Sequence, residues 1–175
     1  MTHPTLLVRR GLLCSLAAGM LALAAGPACA LDAPAGKVIL TLTGNLTHAN
    51  DDGAASFDLA LLQTLPQHSF STKTPWYPQP RKFTGVLLRD LLAAVGAPAG
   101  TTLKAVALND YRVDIPADEA TQHGAMLAYL LDDQPMAVRD KGPLVIIYPF
   151  DARPELRSAV HYSRAIWQLR GLEVK

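Results

Sequence analysis

Both cysteines of this chain, Cys14 and Cys29, fall before residue 31, in a segment that reads as an export leader. This constrains everything downstream. Residues 31–175 must fold without a disulfide, and they offer no thiolate nucleophile and no cysteine ligand for a metal. The leader shows three parts in order. Arg9 and Arg10 form a basic start, Gly11 to Gly26 carries no charge, and Ala28-Cys29-Ala30 is a small-x-small cleavage site. The apolar run falls short of the ~20 residues that a membrane span needs. Cleavage is expected between Ala30 and Leu31, with release to the periplasm. Arg9-Arg10 followed by Gly11-Leu12-Leu13 leaves general and twin-arginine export both open. Residues 31–175 then suit one ordinary domain, large enough to be stable on its own core.

Loss of residues 1–30 removes two of the 16 Lys+Arg and none of the 15 Asp+Glu, so the formal charge moves from +1 to −1. No basic field remains to hold nucleic acid, and no polybasic face to hold anionic lipid.

The hydrophobic pattern is mostly that of strands. Val38, Leu40 and Leu42 alternate with Ile39, Thr41 and Thr43, a period of two. Asn50-Asp51-Asp52-Gly53 is a turn. Ser56 is expected to cap a short helix that runs through Leu65 and stops at Pro66. Phe70 to Tyr77, followed by Pro78 and Pro80, reads as an irregular loop. Leu87, Leu88, Leu91, Leu92 and Val95 predict a helix from Gly85, closed by Gly96 and Pro98. Thr102–Leu108 and Tyr111–Ile115 predict a hairpin about Asn109-Asp110. Ala125–Leu131 fits strand or helix, and Asp132-Asp133-Gln134-Pro135 is a turn. Leu144–Phe150 is continuously apolar, as in a strand buried on both faces. Pro154 starts a short helix. The C-terminus is a strand whose apolar phase slips at Gly171, which predicts a bulge. The expected architecture is a single α+β domain, mostly β, with two or three short helices.

Few residues point to chemistry. His48, His68, His123 and His161 are scattered, with no zinc-ligand spacing. The serines occupy no Gly-x-Ser-x-Gly turn. The aspartate pairs sit in turns. A glycine-rich phosphate loop is absent. Two clusters remain. Thr72-Lys73-Thr74-Pro75-Trp76-Tyr77 places hydroxyls, an ammonium and two flat rings in one segment. Such rings can stack on a planar heterocycle whose edge the polar groups orient. Asn109-Asp110-Tyr111 supplies side chains suited to the donor–acceptor edge of a pterin or purine. The same residues also suit a core-capping Trp76 and a plain turn.

The order of segments resembles the oxidoreductase molybdopterin-binding domain, the sulfite-oxidase fold, in its small stand-alone form. The resemblance rests on Val38–Asn45, on Ser56-Phe57-Asp58-Leu59 with Leu65-Pro66, and on Phe83-Thr84-Gly85-Val86-Leu87-Leu88 with Leu91-Leu92 and Gly96-Ala97. Ala107–Tyr111, Ile115-Pro116, Gly142-Pro143-Leu144 to Tyr148-Pro149, and Trp167-Gln168-Leu169 follow in order. Catalytic members of that family hold molybdenum through a cysteine thiolate. Its place here falls at Thr72, or at Lys73 if the gap moves. An arginine expected after the Gly-Pro element is replaced near Val145. The stretch that contacts the pterin phosphate is replaced by His161-Tyr162-Ser163-Arg164-Ala165-Ile166.

The resemblance therefore implies a periplasmic pterin-binding domain without molybdenum chemistry, acting as a ligand-responsive partner of a membrane signalling protein. The competing reading is a molybdenum-cofactor oxidoreductase, or a subunit of one, working with a haem or other electron-transfer partner. On the first reading Trp76 stacks, Thr72 and Lys73 line the vacated metal side, and Asn109, Asp110 and Tyr111 read the heterocycle's edge. Arg139 and Lys141 meet a phosphate or the partner. No metal ligands are expected.

Overall fold

The computed structural model describes residues 31–175, so the leader lies outside the described residues. The alternating segments form two five-stranded sheets. The first contains β1 (Leu40–Gly44), β2 (Ala55–Phe57), β5 (Thr102–Ala107), β6 (Arg112–Pro116) and β10 (Leu169–Val174), in the order β2-β1-β10-β5-β6. The second contains β3 (Gln67–Thr74), β4 (Tyr77–Leu87), β7 (Met126–Leu131), β8 (Gln134–Pro135) and β9 (Val145–Ile147). Its order is β3-β4-β7-β8, with β9 also paired to β7. Four short α-helices accompany the sheets, α1 (Leu59–Thr64), α2 (Leu88–Ala94), α3 (Ala117–Gln122) and α4 (Ala159–Arg164), with single 3-10 turns at Val138–Asp140 and at Pro154–Leu156, where the sequence predicts a short helix.

β10 is the centre of the first sheet. It runs parallel to β1, with Leu42 opposite Leu172, and antiparallel to β5, with Ala105 opposite Leu172. The register shifts between Leu169 and Gly171, at the bulge that the sequence phase predicts. The apolar run 144–150 is fully buried at Leu144, Val145, Ile146, Ile147, Tyr148 and Phe150. Its middle is β9, which pairs antiparallel with β7.

Several expectations change. α1 is capped by Asp58, whose carboxylate accepts from Leu61 N at 2.8 Å, while Ser56 lies in β2. Asp58 also accepts from Gly36 N at 2.6 Å, so it ties the incoming chain to the helix. Those donors hold its carboxyl below the usual range, the Leu61 bond first. α2 starts at Leu88, because Gly85 to Leu87 belong to β4. A Cβ on Gly85 would stand 2.0 Å from Leu127 O, so only glycine lets β7 approach β4 there. Gly96, at φ +62°, closes α2 as expected.

The segment expected to be a loop, 70–77, is instead most of a long hairpin. The ladder pairs Thr72 with Arg81 and Thr74 with Tyr77, and it leaves Pro78, Gln79 and Pro80 out of the pairing. Both prolines sit where no ladder N–H is needed, which is why they do not break the strand. α3 and α4 were not predicted. Each is only six residues long, too short to display a helical period.

Candidate functional site

A small pocket of about 230 Å³ opens where the tip of the β3–β4 hairpin meets the β5–β6 turn and the chain leaving α4. Trp76 comes from the hairpin, Asn109 and Tyr111 from the turn, and Tyr162, Trp167 and Gln168 from α4 and beyond. Trp76 stands edge-on to Trp167, with centroids 5.2 Å apart, and to Tyr162 at 6.1 Å. These T-shaped contacts fix the indole between two other rings. Trp167 Nε1 is buried without an acceptor among the described residues. A buried donor of that kind calls for a partner that the described residues do not provide.

The β5–β6 turn is shaped by its own side chains. Asn109 Oδ1 accepts from Tyr111 N at 3.1 Å, and Asp110 takes φ +64°. The Tyr111 hydroxyl donates to Ser163 O at 3.1 Å, which fastens the turn to α4. Asn109 Nδ2 has no acceptor among the described residues and is exposed, so it can donate to a ligand. Gln168 Nε2 donates to Val138 O at 2.7 Å.

The structure thus gathers three of the expected residues, Trp76, Asn109 and Tyr111, into one pocket. Lys141 lies behind it, its ammonium 5.8 Å from the Trp167 ring centroid. The other four lie elsewhere. Asp110 turns away and accepts from Arg170 Nη2 at 2.7 Å. Arg139 is solvated beside Asp140. Lys73 is exposed, and its backbone N–H donates to Asp151 Oδ2 at 2.8 Å. Thr72 is fully buried, and its hydroxyl accepts from Asp151 N at 3.1 Å. Asp151 is held in turn by Arg157 Nη2 at 2.6 Å. Tyr162 and Trp167 were not expected as site residues. The available signal was that the chain has only two tryptophans, one beside each flank of the pocket.

Besides the Tyr111 bond, one carboxylate anchors α4. Glu119 on α3 pairs with Arg164 and lies 3.9 Å from His161 Nε2, and Tyr148 donates to it at 3.5 Å. Burial is the main cause that lowers the His161 pKa; Glu119 opposes the shift, and Arg164 and His123 add to it. Burial likewise pushes the Tyr148 phenol well above its usual range. Ser158 caps α4, and its Oγ lies 2.9 Å from His161 Nδ1.

Two sheets thus surround one core, and a polar-aromatic pocket opens at a hairpin tip. Residues 67–151 match the family of the oxidoreductase molybdopterin binding domain, which supports the resemblance read from the sequence. The fold is similar to that of the sulfane dehydrogenase SoxCD from Paracoccus pantotrophus, with TM-score 0.55 and 16% identity. That likeness covers 77% of this chain and 37% of the other. No curated protein matches the chain by sequence.

The family match raises the question of a molybdenum cofactor, and the residues present do not fit its metal. The position expected for the thiolate is Thr72, whose hydroxyl is a poor ligand for a soft redox metal. That hydroxyl is also sealed from solvent and already bonded to Asp151. Among the described residues no three His, Cys, Asp or Glu side chains converge as a metal site.

Proposed function

We propose that this chain is a periplasmic pterin-binding domain that does no molybdenum redox chemistry and reports ligand occupancy to a membrane signalling protein. One observation carries the reading. Trp76, Asn109 and Tyr111 share a pocket, while the position that would bind metal is closed by the Thr72–Asp151 bond. At about 230 Å³ the pocket is below the roughly 300–1,000 Å³ of drug-sized sites. It suits a single planar heterocycle rather than a nucleotide-extended cofactor. Trp76 supplies a face, Asn109 Nδ2 a donor, and the Gln168 amide oxygen an acceptor. Because the same pocket joins the hairpin tip, the turn and α4, occupancy would restrain all three against one another. A partner that touches any of them would then bind the liganded form differently.

Protein exported from a molybdenum-replete cell should be assayed for metal and titrated with an oxidised, fluorescent pterin. The expected result is negligible molybdenum and ligand stabilisation. A free pterin concentration a hundredfold above Kd adds about 2.7 kcal/mol, which is several degrees in Tm. Trp76→Ala should remove that shift. Near-stoichiometric molybdenum would overturn the reading in favour of the oxidoreductase with an electron-transfer partner. Pterin stabilisation that survives in Trp76→Ala would remove the stacking role.

A further inference from the structure

The outer face of the first sheet carries a second, larger concavity. Leu40, Leu42, Leu103, Ala105, Leu172 and Val174 point into the core, so Thr41, Thr43, Lys104, Val106 and Glu173 point the other way. A groove of about 910 Å³ crosses β1, β10 and β5 on that side. Gly171 lies in its floor; a Cβ there would meet only Thr41 O at 3.3 Å, so the missing side chain deepens the groove. The groove shares no lining residue with the aromatic pocket.

Two properties set this face apart. Six large apolar side chains are exposed among the described residues, and three of them, Val38, Leu108 and Val138, line this one groove. Apolar side chains gathered this way mark an interaction surface. The rim is cationic. Lys37, Lys104, Arg112 and Arg170 line the groove against one carboxylate, Glu173. Asp110 is shared by Arg170 at 2.7 Å and Arg112 at 3.8 Å, and Glu173 lies 4.0 Å from Lys104. Lys37 has no ion pair among the described residues. Four cations against two acids leave an excess of positive charge, on a domain whose net charge is −1 after loss of the leader.

We propose that this groove docks an amphipathic helix of a partner protein, with its apolar stripe flanked by Asp and Glu. A helix is one of the two elements that cover a bare sheet face, and the one whose cylinder fits a trough. Its diameter of about 10–12 Å matches a trough spanning two strand spacings of about 4.8 Å. A second copy docked through the same face would set one cationic rim against another. A bilayer surface is too flat to reach the floor of a concave sheet. A small free anion would satisfy the rim and leave Val38, Leu108 and Val138 in water.

The test uses residues 31–175 and a synthetic helical peptide with leucines at i, i+3, i+4 and i+7 and glutamates on both flanks. The control peptide carries lysines for the glutamates. The acidic peptide should bind, shift the NMR signals of Leu108 and Val138, and weaken as salt rises. Val138→Glu and Arg112→Glu should each weaken it roughly tenfold or more. Both side chains are exposed, so an unchanged urea midpoint will show that the fold is intact. A photoreactive residue at position 138 in exporting cells should crosslink to an acidic amphipathic segment. Failure of the acidic peptide to bind overturns the docking site. So does equal binding of the lysine control, or binding unaffected by either variant. Crosslinking to lipid or to a second copy would overturn the choice of occupant. Val138 lines no part of the aromatic pocket, so Val138→Glu should leave pterin stabilisation unchanged and the two readings fail separately.

Discussion

At the scale of single residues, Thr72 carries the most weight. A hydroxyl there does structural work that a thiolate in a metal site could not share. It accepts the Asp151 N–H while Lys73 N–H donates to the Asp151 carboxylate, so the end of β3 and the segment after β9 are bonded reciprocally. Thr72→Val keeps the shape and removes the acceptor, leaving a part-buried amide unpaired. The expected cost is about 1–3 kcal/mol, read as a lower urea midpoint at unchanged m-value. Thr72→Cys restores the family's ligand type in a position closed to solvent. It should leave molybdenum content at background; a variant that loads the metal would show that the Asp151 contact opens readily.

The elements show why some of this was legible in the sequence. Strands with strict alternation, such as β5 and β6, were readable from period alone, and β10 with its bulge at Gly171 from the phase slip. The turn that carries Asn109 and Tyr111 was readable because turn chemistry is local. The β3–β4 hairpin was misread because Pro78 and Pro80 signal a loop, and only the pairing shows that they lie outside the ladder. Apart from the pair of tryptophans, nothing in the sequence pointed to Tyr162 and Trp167, since their convergence on Trp76 depends on α4, a helix held by long-range contacts.

That dependence is testable. Glu119→Gln removes the charge that faces Arg164 and His161. It should cost about 1–3 kcal/mol and weaken pterin binding, although Glu119 lines no part of the pocket. Unaltered ligand affinity in a destabilised variant would show that α4 keeps its place without this anchor. The same cluster sets a pH dependence. His161 has a lowered pKa in the folded chain, so the unfolded chain takes up the proton first on acidification. Stability should be unaffected by this group above its ordinary value of about 6.5 and fall as pH drops from there through the lowered value. Urea midpoints between about pH 7.5 and about pH 5 should show the fall, and His161→Gln should reduce it. A variant retaining the whole fall would assign it to other groups.

For the whole molecule, the family-matched stretch and the folding unit are different things. Residues 67–151 contain the second sheet, α2, α3 and the β5–β6 hairpin. They lack β1 and β10, and β10 is the strand that joins β5 to the rest of the first sheet. Without it, Leu103, Ala105 and Ile115 lose the strand and core neighbours that bury them, and the hairpin that carries Asn109 and Tyr111 is left alone. Isolated hairpins are marginal in water. The aromatic pocket would also lose Tyr162 and Trp167, which lie beyond the matched stretch. A fragment of residues 67–151 should therefore show no cooperative thermal transition, bind a hydrophobic dye, and fail to bind pterin, whereas residues 31–175 should unfold in one step. Cooperative unfolding of the fragment would mean that the second sheet is a domain in its own right. The first sheet, with its groove and half of its pocket, would then be an accessory laid onto it rather than half of a shared core.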